Sequence, residues 1–523
     1  MTIASSSRRR LLAQAAALAL SPALFPRFTR AALADVRFPD YPFKLGVASG
    51  DPMPDGVVLW TRLAPVPFDT AALPPEPIEV RWEVAEDDGM KRVVQSGTAI
   101  AKPEFAHAVH VELAGLKPGR EYFYRFTAGG EASAVGRTLT APALRSETKR
   151  LKFAFASCQH YEHGYFTAYR DMIAQDPEMI LHVGDYIYEY AISQAPVRRH
   201  PVEEAVSLDD YRALHAAYKL DPDLRDAHAY APWVLTWDDH EVENNYADDQ
   251  PEFGDDSEAF LQRRTAAYRA YFEHLPLRLM ARPHGARMRL HQRFAFGDLA
   301  EFSVLDLRQF RDPQACEPPG PPAGAVIDLD ACPEAMNEDR SMMGREQEFW
   351  FAIGFGRGGA TWNVIAQSLM MAGLDQLPGP ARGVYNDNWG GYPANRRRII
   401  DLIKQRGVGN VVSLGGDIHG FWVSDITEAP FDAGSLKVGT EFVCTSLTSP
   451  SFLYDTFAAL LPENPQVKLF EDRVRGYVMC DLTHERWRAD LRTVSSVTDP
   501  DPSFGSLARF EVASGTPGAK KVS

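Results

Sequence analysis

Between residues 43 and 143 the chain consists of short runs in which apolar and polar positions alternate. The runs include GVVLWTRL, IEVRWEVAE, HAVHVELAGL and EYFYRFTA. Gly, Pro and Asp separate these runs at about ten-residue spacing, as is typical of short antiparallel strands joined by turns. The pattern predicts a small all-β domain at 35–145.

From residue 151 onward, short apolar runs alternate with amphipathic stretches. The runs predict strands at 151–156, 178–183, 233–237, 301–307, 362–369 and 410–416. The amphipathic stretches predict helices at 165–175, 259–271 and 395–405. Strands that alternate with helices indicate a layered α/β (α+β) domain, which we place at 146–510. Residues 511–523 are polar and contain Gly and Pro, which predicts a disordered tail.

Residues 1–34 have the pattern of an export signal. They contain five arginines and no acidic residue, and their apolar stretch is too short and too interrupted by Pro22 to span a bilayer. The order SRRRLL at 7–12 fits the twin-arginine pattern. We therefore predict export by the twin-arginine machinery to the periplasm or the medium. An arginine-rich signal for the general secretory route is the alternative.

The charge balance limits the partners that the chain can attract. The formal net charge of the 523 residues is −15, and such an acidic surface repels nucleic acids and anionic lipids at long range. We predict no specific nucleic-acid binding, and no transmembrane segment in the mature chain. An anionic substrate would need positive charge supplied locally, and metal ions are a compact source of it.

The five cysteines are too few for a scaffold built on disulfides. Cys316 and Cys332 flank a Pro- and Gly-rich excursion and could close it with one bridge. In the chain-entropy account, a closed loop of about 15 residues gains about 3 kcal/mol. Cys444 and Cys480 lie in strand-like runs and are predicted to be small core residues. Cys158 follows the strand predicted at 151–156.

Four polar segments each follow a predicted strand directly. They are SCQH at 157–160, GDYIY at 184–188, DDHE at 238–241 with NN at 244–245, and GDIH at 416–419. Ligand sites of α/β sheets lie beyond the carboxyl ends of strands, so we expect these segments to converge. Thiol, imidazole and carboxylate groups suit a transition metal, whereas carboxylates and amides suit Ca²⁺ or Mg²⁺. Taken singly, the segments are also explained by a turn with a capping aspartate, a packed cysteine or a partly buried histidine.

The order GDxxY, (N/D)HE and G(H/D)xH resembles that of the metallophosphoesterase superfamily. Longer stretches, among them FAFASCQHYEHGYFTAYRDM, TWDDHEVENNYADD and MMGREQEFWF, are similar to the PhoD-like alkaline phosphatases and phosphodiesterases. The resemblance implies a four-layer α/β/β/α sandwich with metals at its strand ends. The all-β domain in front of it has the strand pattern of fibronectin- or immunoglobulin-like modules. The resemblance also implies an enzyme that hydrolyses phosphate esters of small or polymeric substrates.

The resemblance assigns a ligand role to four residues around an Fe³⁺ ion. Asp185 matches the carboxylate that bridges the metals. Tyr188 matches a tyrosinate ligand of the iron, and His419 matches an imidazole on the same ion. Cys158 stands where the superfamily has Asp, and the PhoD-like proteins place a cysteine ligand there.

Two further positions depart from the superfamily motif in a chemically coherent way. Asp239 stands in the Asn position of NHE, and Asp417 stands at the first His of GHxH. The added carboxylates favour one or two Ca²⁺ over Zn²⁺, although other divalent metals are possible. The cations would lower the pKa of a bound water for in-line attack on phosphorus. We expect His240 to contact the phosphoryl oxygen or protonate the leaving group, and Asn244 to bind a cation or the phosphate.

Two alternatives remain open at this point. The same machinery could serve a dedicated phosphodiesterase or a phospholipase D-like enzyme. The chain could also be an exported binding module with a structural metal, although such a site is closed by its ligands and has no need of His240.

The replacement of Asn and His by Asp239 and Asp417 leads to a prediction about metal dependence. Chelation should abolish activity, and Ca²⁺ should restore it, because an oxygen-rich site prefers a hard cation. Turnover of a phosphate ester after dialysis against each metal measures this. Full restoration by Zn²⁺ alone would contradict our interpretation of both aspartates.

Overall fold

The computed structural model describes residues 36–252, 256–318, 320, 323–432 and 434–523. The export signal predicted at 1–34 lies outside the described residues. From residue 47 to 139 the strands are β1 Val47–Met53, β2 Gly56–Arg62, β3 Ile78–Ala85, β4 Val93–Ala101, β5 Ala108–Glu112, β6 Glu121–Ala128, β7 Glu131–Ala132 and β8 Gly136–Leu139. This stretch contains no α-helix.

Strands and helices alternate in the rest of the chain. The helices are α1 Ala168–Ala174, α2 Leu208–Lys219, α3 Pro222–Tyr230, α4 Ser257–His274, α5 Gly344–Gly354, α6 Pro393–Arg406 and α7 Tyr454–Leu460. The strands are β9 Leu151–Ala156, β10 Met179–Val183, β11 Pro232–Thr236, β12 Gln292–Phe296, β13 Ala300–Val304, β14 Val326–Asp328, β15 Trp362–Ala366, β16 Gly383–Tyr385, β17 Val411–Gly415, β18 Phe421–Thr427, β19 Lys437–Val443, β20 Val467–Glu471, β21 Arg475–Leu482, β22 Arg486–Val494, β23 Phe504–Ala513 and β24 Lys520–Lys521. The strands and helices predicted from residue 151 onward are therefore present.

Two large sheets organise the molecule. The first has ten strands in the order β24-β23-β22-β21-β9-β10-β11-β1-β2-β5, and the second has seven in the order β12-β13-β15-β17-β19-β18-β20. In the first sheet β9, β10 and β11 run parallel to one another. In the second sheet β13, β15, β17 and β19 are parallel. The segments that follow these strands can therefore meet at the carboxyl ends.

Side chains from both large sheets form one buried apolar cluster. Phe153 of β9 packs edge-on against Phe302 of β13, with ring centroids 5.4 Å apart. Phe302 also stacks on Phe294 of β12 at 4.9 Å. Strands buried in this way read as continuous apolar runs in the sequence, and such runs predicted β9 and β13.

The amino-terminal strands are divided between two sheets. β3, β4, β6, β7 and β8 form a sheet of their own, whereas β1, β2 and β5 extend the ten-stranded sheet. β1 pairs in parallel with β11 through Ser49 opposite Pro232 and Gly50 opposite Trp233. A side chain at Gly50 would lie 2.3 Å from the carbonyl oxygen of Pro276, so only glycine permits this approach. The predicted boundary at 145/146 therefore falls between strands that share one sheet.

The disordered tail predicted at 511–523 is wrong. β23 reaches Ala513, and β24 pairs with it at the edge of the sheet. Phe510 and Val512 are buried in the cluster between the large sheets. The segment is rich in polar residues because β23 lies next to the edge strand of the sheet. Its inward-facing residues nevertheless pack in the apolar cluster and hold the segment in place.

Cys316 and Cys332 form a disulfide with a Cα–Cα distance of 6.1 Å. Cys444 and Cys480 are buried core residues, as predicted. Among the described residues, no helix has both the length and the apolar composition that a membrane span requires.

The contact between the large sheets leads to a stability prediction. Phe302→Ala should lower the free energy of unfolding by about 3–5 kcal/mol, because it leaves a cavity between two packed sheets. Denaturant titration measures the loss. Phe349→Ala is the matched control, since Phe349 is 68% exposed on α5. Equal stability of the two variants would contradict a common core for both sheets.

Candidate metal centre

The predicted ligands follow four strands that end in the same region. Cys158 follows β9, Asp185 follows β10, Asp239 follows β11, and Asp417 and His419 follow β17. β9 to β11 belong to the first large sheet and β17 to the second. Ser157, which follows β9 in the first sheet, forms a parallel β-bridge with Ser446. Ser446 follows β19, the neighbour of β17 in the second sheet, so this bridge connects the two sheets at their strand ends. The expected convergence of these segments is therefore present in the fold.

Several predicted ligands have a backbone conformation that non-glycine residues rarely adopt. The φ angles are 58° at Cys158, 54° at Asp185, 67° at Asp417 and 53° at His419. Left-handed conformations of this kind cost roughly 1–3 kcal/mol each and concentrate at functional sites. The tight turns after the strands aim these side chains at a common centre.

Glu241 connects two of these turns through backbone hydrogen bonds. Its carboxylate accepts the N–H of Asp185 at 3.2 Å, of Tyr186 at 2.5 Å and of Asp238 at 2.9 Å. Burial raises the pKa of Glu241 to about 8. Gly184 allows the turns to touch, because a Cβ there would lie 2.6 Å from the Cβ of Asp238. The sequence placed Glu241 in a candidate segment but assigned it no role.

Cys158, Asp185 and His419 form the first group of possible metal ligands, with one ligand atom from each within 4.8 Å of the others. The hydroxyl of Tyr188 lies 2.9 Å from Asp185 Oδ2 and 3.0 Å from His419 Nε2. His419 Nδ1 donates to the carbonyl oxygen of Pro450 at 2.9 Å, which leaves Nε2 facing the group. Burial raises the pKa of the Cys158 thiol and the Tyr188 hydroxyl, so a nearby cation is needed to ionise them.

Two further groups of possible ligands continue from the first, because the second shares Asp185 with it and the third shares Asp239 with the second. One contains Asp185, Asp239 and His240, and the other contains Asp238, Asp239 and Asp417. The Oδ1 atoms of Asp185 and Asp239 and the Oδ2 atom of Asp238 are buried and accept no hydrogen bond. Burial, with further repulsion from neighbouring carboxylates, raises the pKa of Asp185 and of Asp417 well above the usual range. Unpartnered carboxylate oxygens at this spacing fit bound cations.

Arg308 supplies positive charge among these carboxylates, and the sequence analysis missed it. The guanidinium group is fully buried; Nε donates to Asp238, and Nη1 donates to Asp387 Oδ2 at 2.6 Å. Nη2 lies 3.4 Å from the carboxylates of Asp239 and Asp417. Although burial opposes it, Arg308 holds the pKa of Asp239 below its usual range. Arg308 directly follows the strand predicted at 301–307, so the strand-end criterion could have found it.

His240 lies beside the ligand groups and is held from two sides. Its Nδ1 donates to Glu189 Oε2 at 2.8 Å, and its ring stacks on Tyr188 at 4.3 Å. Although burial opposes it, the charges of Glu189, Asp239 and Asp185 raise the pKa of His240 well above its ordinary value. The surrounding carboxylates therefore favour the protonated form of the imidazole.

Asn244 lines the cleft, but its amide donates to Glu252 and not to a predicted metal ligand. Its Nδ2 donates to Glu252 Oε1 at 2.6 Å. The backbone N–H of Asn245 instead donates to Asp239 Oδ2 at 2.7 Å. Of the two asparagines, Asn245 therefore contacts a predicted metal ligand, whereas the predicted contact of Asn244 with a cation or phosphate stays a prediction.

A cleft of about 540 Å³ opens above the ligand groups. Asp185, Asp239, His240, Asn244, Asp417 and His419 line it, whereas Cys158 and Tyr188 are buried behind them. The fold and this site define an α/β protein with a candidate multinuclear metal centre beneath an open cleft.

Comparisons with known proteins agree with this description. The family model "PhoD-like phosphatase" matches residues 153–491, and "PhoD-like phosphatase, N-terminal domain" matches residues 29–142. The chain is 46% identical to alkaline phosphatase D of Bacillus subtilis (strain 168) over 496 residues, which cover 93% of this chain and 83% of that protein. It is similar to the solved structure of PhoD with a TM-score of 0.88, at 44% identity and 93% coverage of each chain. The chain therefore belongs to the PhoD-like phosphatase family.

The buried ion cluster around Arg308 leads to a testable prediction. Arg308→Ala should destabilise the chelator-treated protein by about 3–5 kcal/mol, because Asp238 loses its buried counter-charge and Asp387 keeps only that of Arg311. Denaturant titration measures the change. Arg345→Ala is the control, since its side chain is 83% exposed and pairs with an exposed Asp339. A loss as small as that of the control, below about 1 kcal/mol, would show that Arg308 does not offset this charge.

Proposed function

We propose that the chain is a metal-dependent phosphoric ester hydrolase that acts on phosphomonoesters, phosphodiesters or both. The observation that carries the proposal is the convergence of six predicted ligands from two sheets beneath one cleft. Membership of the PhoD-like phosphatase family and 46% identity to an alkaline phosphatase D support the reaction class.

Two kinds of donor set support two kinds of cation. Cys158, Asp185, Tyr188 and His419 combine thiol, carboxylate, phenol and imidazole, which suits Fe³⁺. Asp185, Asp239 and Asp417, together with Asp238, form a second donor set. It offers carboxylate oxygens, which suit one or two Ca²⁺. Bound cations would neutralise the phosphoryl oxygens and supply an activated water.

His240 is our candidate for the proton donor to the leaving group. Glu189 accepts from Nδ1 and Tyr188 stacks on the ring, so the orientation of the imidazole is restricted. The carboxylates around His240 raise its pKa and so favour the protonated imidazole that a proton donor requires. Asn244 remains a candidate for contact with the phosphate, although its donation to Glu252 must then be exchanged.

A four-layer α/β/β/α arrangement is our proposal for the catalytic part. The cluster between the large sheets supports the two inner layers. One further cluster joins β10 and β11 to α2, α3 and α4, and another joins β15 and β17 to α5 and α6. For the amino-terminal strands we propose a fibronectin- or immunoglobulin-like sandwich, of which β1, β2 and β5 form one side.

We also propose export through the twin-arginine route. The pattern SRRRLL at 7–12 supports the route, and the disulfide between Cys316 and Cys332 supports an oxidising destination.

The central test of the hydrolase proposal is Asp185→Asn. We expect kcat/KM for p-nitrophenyl phosphate and for bis-p-nitrophenyl phosphate to fall at least about 100-fold, since loss of even indirect partners of a metal costs 10- to 100-fold. Asp339→Asn, an exposed change, should leave both values intact. The ratio of the two substrates separates an alkaline phosphatase from a dedicated phosphodiesterase. Normal turnover by a folded Asp185→Asn protein would refute the bridging role.

The export proposal is tested by replacing Arg8 and Arg9 together with Lys. Export should then stop, because the twin-arginine pair is the recognised feature. Arg10→Lys changes the variable position of the pattern and is the matched control. Immunodetection in cytoplasmic and exported fractions measures the outcome, and unchanged export of the double variant would favour the general secretory route.

A further inference from the structure

One wall of the cleft above the ligand groups is apolar and strongly exposed. Phe452 is 88% exposed and Leu453 is 47% exposed, and both line the cleft. Ile418, between Asp417 and His419, lies on the same lining and packs against a buried apolar cluster. An exposed apolar surface beside a polar site marks a place where a ligand binds.

The exposed position of Phe452 is set by contacts of its neighbours. The carbonyl oxygen of Pro450 accepts from His419 Nδ1 at 2.9 Å, and Ser451 Oγ donates to Asp472 Oδ2 at 2.5 Å. Helix α7 begins at Tyr454, two residues later. The backbone on both sides of Phe452 is therefore held, and its ring remains in solvent at the mouth of the cleft.

The same segment also contacts a predicted metal ligand. Ser449 Oγ donates to the hydroxyl of Tyr188 at 2.9 Å. The segment 449–453 thus connects the ligand groups to the apolar wall over a few residues. Other parts of the lining are polar, with Asn245, Tyr385 and Asn388. A substrate whose phosphate lies against the carboxylates would contact an apolar wall with one part of its organic group and polar side chains with another.

We propose that Phe452, with Leu453 and Ile418, forms a subsite for the organic group of the phosphate ester. The subsite selects esters whose alcohol carries an alkyl or aryl chain over esters of short or polyhydroxylated alcohols. The proposal rests on the proposed function, because the phosphoryl group must lie at the ligand groups for the chain to reach Phe452.

The size of the expected effect follows from apolar transfer. Complete removal of one methylene group from water is worth roughly fourfold in kcat/KM. An open wall covers about half of the chain, which gives about twofold per methylene. Hexyl phosphate has four more methylenes than ethyl phosphate, so the wild-type holoenzyme should prefer it by roughly tenfold or more.

The experiment compares ethyl, butyl and hexyl phosphate, whose leaving groups have similar basicity, by release of phosphate. The measured quantity is the hexyl-to-ethyl ratio of kcat/KM, in which changes to the shared phosphoryl chemistry cancel. Phe452→Ala should reduce this ratio to about threefold or less, whereas Phe452→Leu should retain most of it. Phe349→Ala is the matched control, because Phe349 is 68% exposed and outside the cleft, and it should keep the wild-type ratio. An unchanged ratio in Phe452→Ala overturns the proposal.

A binding measurement separates failure of the subsite from failure of the hydrolase. Hexylphosphonate and ethylphosphonate cannot be hydrolysed, and calorimetry compares their affinities for the wild-type holoenzyme and for Phe452→Ala. If no ester is turned over but hexylphosphonate binds roughly tenfold tighter in a Phe452-dependent manner, the subsite stands and the proposed reaction fails. If neither series depends on chain length and sedimentation shows a dimer that Phe452→Ala dissociates, the wall is a self-association surface and the subsite proposal fails.

Discussion

Buried negative charge at the carboxyl ends of the strands is the constraint on which the site depends. Asp185, Asp238 and Asp239 are at most 2% exposed, and they approach one another and the partly exposed Asp417 with little solvation by water. Arg308 offsets part of this charge through Asp238 and Asp387, yet one carboxylate oxygen of each of Asp185, Asp238 and Asp239 accepts no hydrogen bond. Repulsion between these carboxylates destabilises the folded state in the absence of cations, and bound cations would offset it. The fold therefore favours a metal-bound state.

The rest of the structure holds this unfavourable arrangement in place. Cys158, Asp185, Asp417 and His419 sit in left-handed backbone conformations, which persist only where the surroundings determine them. The turns that carry these residues begin at the ends of parallel strands in the two sheets. The common apolar core fixes the position of one sheet relative to the other. Glu241 then ties the turn after β10 to the turn after β11.

The cleft joins this charged floor to an apolar rim. The segment that ends at Phe452 contacts His419 through Pro450 and Tyr188 through Ser449. Recognition of the organic group and orientation of the ligands therefore share a short stretch of chain. Substitutions in that stretch can change substrate preference and the geometry of the ligand groups together, which couples selectivity to the chemistry.

Local features of the fold and of the site could be predicted from the amino-acid sequence. Continuous apolar runs predicted six of the strands. The polar residues that follow them pointed to Cys158, Asp185, Tyr188, Asp239, Asp417 and His419, because both signals lie within a few residues. Contacts between residues far apart in the chain became visible in the folded structure. Arg308 and Asp387 are separated by 79 positions, β1 joins β11 across the predicted domain boundary, and the polar carboxyl-terminal segment completes a sheet edge. These features depend on pairing between remote strands, and no local pattern of hydrophobic and polar residues records which partners the folded chain brings together.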